Sequence, residues 1–150
     1  MKQFSNETMK TFLIIIIGII VFANVLSNGF VWDDEEQIVN NPIVQNPSNV
    51  LQIFSGGTFS TGGTGELSGW FYRPFLTLAY MLNFTLWVNN PFGFHLFQIV
   101  FHILNAILIY KITKHWLASL IFTVHPALTE AVSYIGSLGE ILYVFFGLLA

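Results

Sequence analysis

Gly93-Phe94-His95-Leu96-Phe97-Gln98-Ile99-Val100-Phe101-His102-Ile103-Leu104-Asn105-Ala106-Ile107-Leu108-Ile109-Tyr110 is the stretch whose reading decides the fold. No Asp, Glu, Lys or Arg interrupts it. As a helix it is about 27 Å long, close to the roughly 30 Å of a hydrocarbon core. His95, Gln98, His102 and Asn105 recur at i, i+3, i+7 and i+10, which is one face of an α-helix. Polar groups at membrane depth turn away from lipid, toward a helix bundle or a wet cavity. The stripe therefore reads either as interhelical hydrogen bonding or as the lining of a polar path. His95, near the outer end, is the member best placed to line a site.

Upstream, residues 11–27 form a nearly unbroken apolar run preceded by Lys2 and Lys10. A cleaved signal peptide is the rival reading, with Val21-Phe22-Ala23 as its small-residue site. A first transmembrane helix is preferred, because the later segments make the chain polytopic. Residues 28–92 hold no apolar run of spanning length and form a large outer loop. Within it, Pro74 opens an apolar stretch of residues 74–88, too short to span and well placed to start a helix. Laying that stretch in the interface puts Lys2, Lys10, Lys111 and Lys114 on one side and leaves Arg73 outside, as the positive-inside rule favours. The N-terminus is then cytoplasmic. Downstream of the second span (residues 93–113), a third helix is expected to run outward from about 116 toward His125-Pro126. A fourth begins near 140 and reaches only about 15 Å. The whole reads as the N-terminal part of a longer, all-α polytopic membrane protein.

Composition agrees. Hydrophobic residues make up 54% of the chain, aromatics 17% and charged residues 9%, which points to the bilayer as solvent. A net charge of -3 excludes the basic stripe that nucleic acid requires. The absence of cysteine removes disulfides and thiolate zinc sites. The four histidines (95, 102, 115 and 125) match no zinc spacing. Gly56-Gly57 and Gly62-Gly63, in the Gly/Ser/Thr-rich segment 55–69, lack the lysine and the strand-to-helix context of a phosphate loop.

Against so little charge, Asp33-Asp34-Glu35-Glu36 stands out, directly after the aromatic anchor Phe30-Val31-Trp32. Paired carboxylates do general-base work when one is desolvated and its neighbour stays ionised. They equally suit a divalent ion, or a merely solvated loop. Consecutive acids cannot all face one point, so at most two of the four do the work. Arg73, in Trp70-Phe71-Tyr72-Arg73-Pro74, offers a planar fork to a phosphate or carboxylate. His125 and Glu130 flank a proline turn in which Thr129 is a candidate cap.

These pieces resemble a known family. Phe30-Val31-Trp32-Asp33-Asp34-Glu35, Asn40-Asn41-Pro42, Tyr72-Arg73-Pro74 with Leu82-Asn83, Asn90-Pro91-Phe92-Gly93-Phe94-His95-Leu96, His102, and His125-Pro126 with Thr129-Glu130-Ala131-Val132 follow in the order of the GT-C superfamily glycosyltransferases. Within that superfamily they resemble the membrane-embedded O-mannosyltransferases that carry tetratricopeptide repeats. The resemblance covers residues 28–142. It implies a polytopic enzyme of the plasma membrane in a bacterium, or of the endoplasmic reticulum in a eukaryote. Such an enzyme passes a mannose-like sugar from a polyprenyl- or dolichyl-phosphate carrier to a hydroxyl of a protein or glycan on the outer face, with no cofactor. Asp33 and Asp34 take the place of the catalytic base. Arg73, His95, His125, Glu130 and Glu140 take places around the lipid phosphate and substrate. The chain departs from the family at Gln98, where Asn is usual. It departs again at Ser137-Leu138-Gly139-Glu140, where Gly-Arg-x-Asp is usual, although Glu140 keeps the acid. The other readings of the chain are a transporter or channel subunit using the polar stripe, and a scaffold of the same family without activity.

Overall fold

The computed structural model of the chain describes residues 6–55 and 71–150. Lys2, the glycine pairs of segment 55–69 and Trp70 lie outside the described residues. Among the described residues every regular element is helical.

Helix α1 runs Asn6–Phe22 and continues as a 3-10 turn over Ala23–Ser27. Together they make 22 residues long and apolar enough to cross a membrane. Two short helices, α2 (Pro42–Gln45) and a 3-10 helix over Pro47–Phe54, occupy the outer loop. Each starts on an Asn-Pro pair. Asn41 Oδ1 accepts from Ile43 N at 3.0 Å and Asn46 Oδ1 accepts from Ser48 N at 3.0 Å, satisfying amides that a helix start leaves free. Helix α3 (Pro74–Trp87) has proline in its first turn and ends at Val88 with a left-handed backbone, φ 54.

Helix α4 (Pro91–Thr113) is the second span, at 23 residues, and the hub of the fold. It packs against α1 and α3, and against α5 (Trp116–Val124), α6 (Thr129–Ser133) and α7 (Leu138–Leu149). Three layers of core run along it. Ile38, Val44, Tyr80, Phe94 and Leu138 fill the outer layer, Phe22, Ile99, Ile103, Val132 and Ile141 the middle, and Ile14, Ala106 and Tyr110 the inner. The close approach of α1 rests on Gly18, where an added Cβ would lie 2.7 Å from Ile103 Cγ1 and 3.3 Å from Thr123 Cγ2.

The polar stripe is the mortar of this packing. Gln98 Nε2 donates to Ala131 O at 3.0 Å and to Tyr134 O at 2.7 Å. His102 Nε2 meets Thr123 O at 3.0 Å, and Asn105 Nδ2 donates to Ile141 O at 3.0 Å. Each bond joins α4 to a later segment, so the stripe faces protein backbone and not a polar path. Asn105→Leu is expected to lower stability by about 1 kcal/mol, read as an earlier unfolding midpoint in detergent. An unchanged midpoint would show that this bond contributes nothing.

Those partners also set depth. Helix α5 has nine residues, about 14 Å, and its end at Thr123 lies level with His102, midway along α4. It runs from Trp116 to Val124, as the apolar run from 116 suggests, alongside the second half of α4. His125-Pro126 stops it there. The chain then climbs through α6, turns at Tyr134 and a 3-10 turn over Ile135–Ser137, and descends as α7. The two arms, Pro126–Ser133 and Ile135–Leu149, are bent by 103°. This bent pair, the elbow, is either one broken span or a re-entrant loop. The chain is an all-α membrane protein with, among the described residues, two helices long and apolar enough to span, or three if the bent pair counts as one.

Candidate active site

The acidic turn is built by a backbone reversal at Trp32, whose φ of 53 is left-handed. Asp34 N donates to Val31 O at 3.1 Å, and Val31 N donates back to Asp34 Oδ2 at 2.9 Å. The reversal sends neighbouring acids to different places. Asp34 is 1% exposed, Asp33 is half-buried and Glu35 is exposed. Burial raises the Asp34 carboxyl from its ordinary 3.8 to about 6, because the charged form loses water. The amides of Val31 and Gly136 pull it back part of the way, and the charge of Asp33 adds to the rise. Asp34 Oδ1 makes no hydrogen bond of good geometry. A buried carboxylate with a free lone pair is the arrangement of a base awaiting a proton.

The elbow meets this turn from below. The Trp32 ring packs edge-on against Tyr134 with centroids 5.6 Å apart. Tyr80, wholly buried on α3, donates from Oη to Ile135 O at 3.2 Å. Burial, and then the charge of Asp34, push the Tyr80 hydroxyl well above its ordinary value, so it remains a donor.

Beside the elbow a cleft of about 830 Å³ opens between α3 and α7. Phe75, Leu76, Leu142 and Phe146 make its walls apolar, while Arg73 and Glu140 bring one charge of each sign to it. The Arg73 guanidinium lies 5.0 Å from the centre of the Phe71 ring, a cation–π contact that leaves its donors outward.

The other expected site residues lie elsewhere. His95 is 1% exposed and sits under the first residues of the outer loop, against the backbone of Asn28 and Gly29. Neither of its ring nitrogens makes a hydrogen bond of good geometry. It braces the loop from beneath and does not reach the cleft. His125 and Glu130 are exposed and line no part of the cleft. His125 Nδ1 accepts from Ala127 N at 3.2 Å, so this imidazole, and not Thr129, caps the turn after the proline. Among the described residues no three His, Asp or Glu side chains converge as a ligand set for a metal ion. Asp33 and Asp34 thus lie against the bend of the elbow and Arg73 and Glu140 line the cleft beside it, whereas His125 and Glu130, at the start of the elbow and on its α6 arm, lie outside the cleft. Sequence reasoning passed over Tyr80, a phenol on an aromatic-rich helix whose one signal is that it shares a buried face with Leu76 and Asn83.

The fold and site define an integral membrane protein in which a desolvated aspartate of the loop after the first span seats on a bent helix pair beside an apolar, charge-tipped cleft. No family model matches the chain, and no solved structure does. Its curated homologues are protein O-mannosyl-transferases of the TMTC family. It is 34% identical to one from Caenorhabditis elegans over 97% of this chain. It is 31% identical to TMTC3 of Homo sapiens, again over 97% of this chain, and 35% identical to human TMTC1 over 86%. The chain spans only 23%, 17% and 16% of the lengths of those three relatives.

Proposed function

We propose that this chain forms the N-terminal part of a membrane-embedded glycosyltransferase of GT-C type. The donor is a mannose-like sugar on a polyprenyl- or dolichyl-phosphate carrier, and the acceptor is a hydroxyl of a protein. Transfer takes place on the outer or lumenal face, with the N-terminus cytoplasmic. The observation that carries this reading is the dry, raised carboxyl of Asp34 beside a cleft that combines apolar walls with Arg73.

The chemistry follows from those groups. The hydrocarbon tail of the donor lies along the apolar wall of the cleft, and its phosphate meets the Arg73 fork. The acceptor oxygen attacks the anomeric carbon, Asp34 takes its proton, and the bond from that carbon to the phosphate oxygen breaks. The lipid phosphate leaves with the electron pair as a good leaving group, so orientation supplies much of the rate. Kinship supports the class: the homologues are named protein O-mannosyl-transferases.

The test is transfer from dolichyl-phosphate mannose to a serine/threonine peptide by the full-length protein in nanodiscs, followed across pH. Mannosyl-peptide is expected, with a rate that falls on the acid side of about pH 6 as the Asp34 carboxyl protonates. Transfer from a nucleotide sugar alone would overturn the donor class, and a rate flat from pH 5 to 8 would remove Asp34 as base.

A further inference from the structure

The elbow is a poor structure by itself. Helix α6 has five residues and no side-chain cap at its start, and so short a helix is marginal alone. Its backbone is held from outside instead. Gln98 on α4 grips Ala131 O and Tyr134 O with one amide nitrogen, and Tyr80 on α3 grips Ile135 O. Both side chains are 0% exposed and spend their donors on carbonyls of the elbow. Both fix the strand of backbone that presents the Gly136 amide to Asp34 and then continues through Ser137 to Glu140 in the cleft.

We propose that Tyr80 and Gln98 are positioning residues, a two-point clamp on the Ala131–Ile135 carbonyls that sets Glu140 across from Arg73 and the Gly136 amide against Asp34. This rests on the glycosyltransferase reading of the same site. The gripped carbonyls belong to the end of one arm and the start of the other, so releasing either grip loosens the bend without disturbing the spans. Tyr134 O also accepts from Ser137 N at 3.1 Å and Ile135 O from the amide of Leu138, so each deletion removes a side-chain hydrogen bond across the elbow, a loss worth several-fold in the stability of the local structure. Displacements near 1 Å at a reacting centre are enough to change rates and affinities strongly.

Tyr80→Phe and Gln98→Met remove the donors and keep the volume. Each is placed in the full-length protein in nanodiscs, and backbone hydrogen exchange is followed together with steady-state transfer from dolichyl-phosphate mannose. Exchange over residues 131–138 is expected to quicken about five- to tenfold with α1 and the inner half of α4 unchanged. The KM for the lipid-linked donor is expected to rise about fivefold, by more than kcat falls. Exchange that quickens equally in α1, α4 and the elbow, with KM unchanged, would reduce both residues to ordinary core and overturn the proposal, as would unaltered exchange at the elbow. If exchange quickens locally while the wild-type protein transfers no sugar from any lipid-linked donor, the clamp stands and the functional reading falls.

Discussion

Asp34→Asn is expected to lower sugar transfer about a hundred- to ten-thousand-fold while membrane insertion and folding persist. The amide keeps the size of the carboxylate and still accepts from Val31 N, but it cannot take a proton. Stability separates lost chemistry from lost fold. The folded carboxyl titrates near 6, above its ordinary 3.8, so the native state binds that proton more tightly than the unfolded chain. The resulting stabilisation is complete below pH 3.8 and lost as pH rises through about 6. At neutral pH the wild-type protein therefore carries the ionised acid at a cost of up to about 3 kcal/mol. The asparagine variant is expected to be at least as stable as wild type at pH 7.5, and its melting temperature should lose the rise that wild type shows between pH 7.5 and 5. Asp33→Asn, at a half-buried position, should reduce transfer far less. Full transfer in both single variants would exclude the base role, and a variant that melts early at pH 7.5 would show that the carboxylate is structural.

Gly18→Leu is the substitution expected to damage the fold most. The first span makes its closest approach to α4 and α5 at this residue, and Ile103 is itself 7% exposed with little room to retreat. Even the Cβ would sit 2.7 Å from Ile103 Cγ1, and the remaining leucine atoms have no space between three helices. Overpacking of this kind costs about 3 kcal/mol, felt as separation of α1 from the bundle because small residues govern close helix approach in membranes. Gly147→Leu is the matched control, since an added Cβ there meets nothing within 4 Å. Unfolding midpoints should fall sharply for the first and hold for the second. Equal midpoints would show that α1 is loosely attached.

The spans were legible in sequence because their physics is local. An uncharged run of the right length has one stable form in lipid, and the spacing of His95, Gln98, His102 and Asn105 gave the buried face of α4. What spacing cannot give is the partner. Gln98 reaches 33 and 36 residues along the chain, to Ala131 and Tyr134, and no periodicity in 93–110 names them. The elbow was hidden for a related reason. Residues 116–124 and 141–149 are apolar and read as helices, and the mixed-polarity stretch between them, with Glu130 and Ser133, reads as a return segment; what hydropathy leaves open is the depth of each piece, which depends on the α4 group it meets. His95 shows the same limit from the other side: its place near the outer end of a helix was readable, but whether it opened to a cleft or lay beneath a loop depended on Asn28 and Gly29. The acidic pair was readable as a candidate because carboxylates beside an aromatic anchor are rare on a charge-poor chain, but the sequence treated Asp33 and Asp34 as equals, and their different burial depends on the fold.

The left-handed corner at Trp32 is what makes them unequal. Two adjacent residues of identical chemistry leave that corner in different surroundings, and one is dried into a weak acid while the other keeps contact with water. The division of labour between them is written in a single main-chain torsion, so a neighbour with no titrating atom of its own decides which aspartate of the pair does proton chemistry.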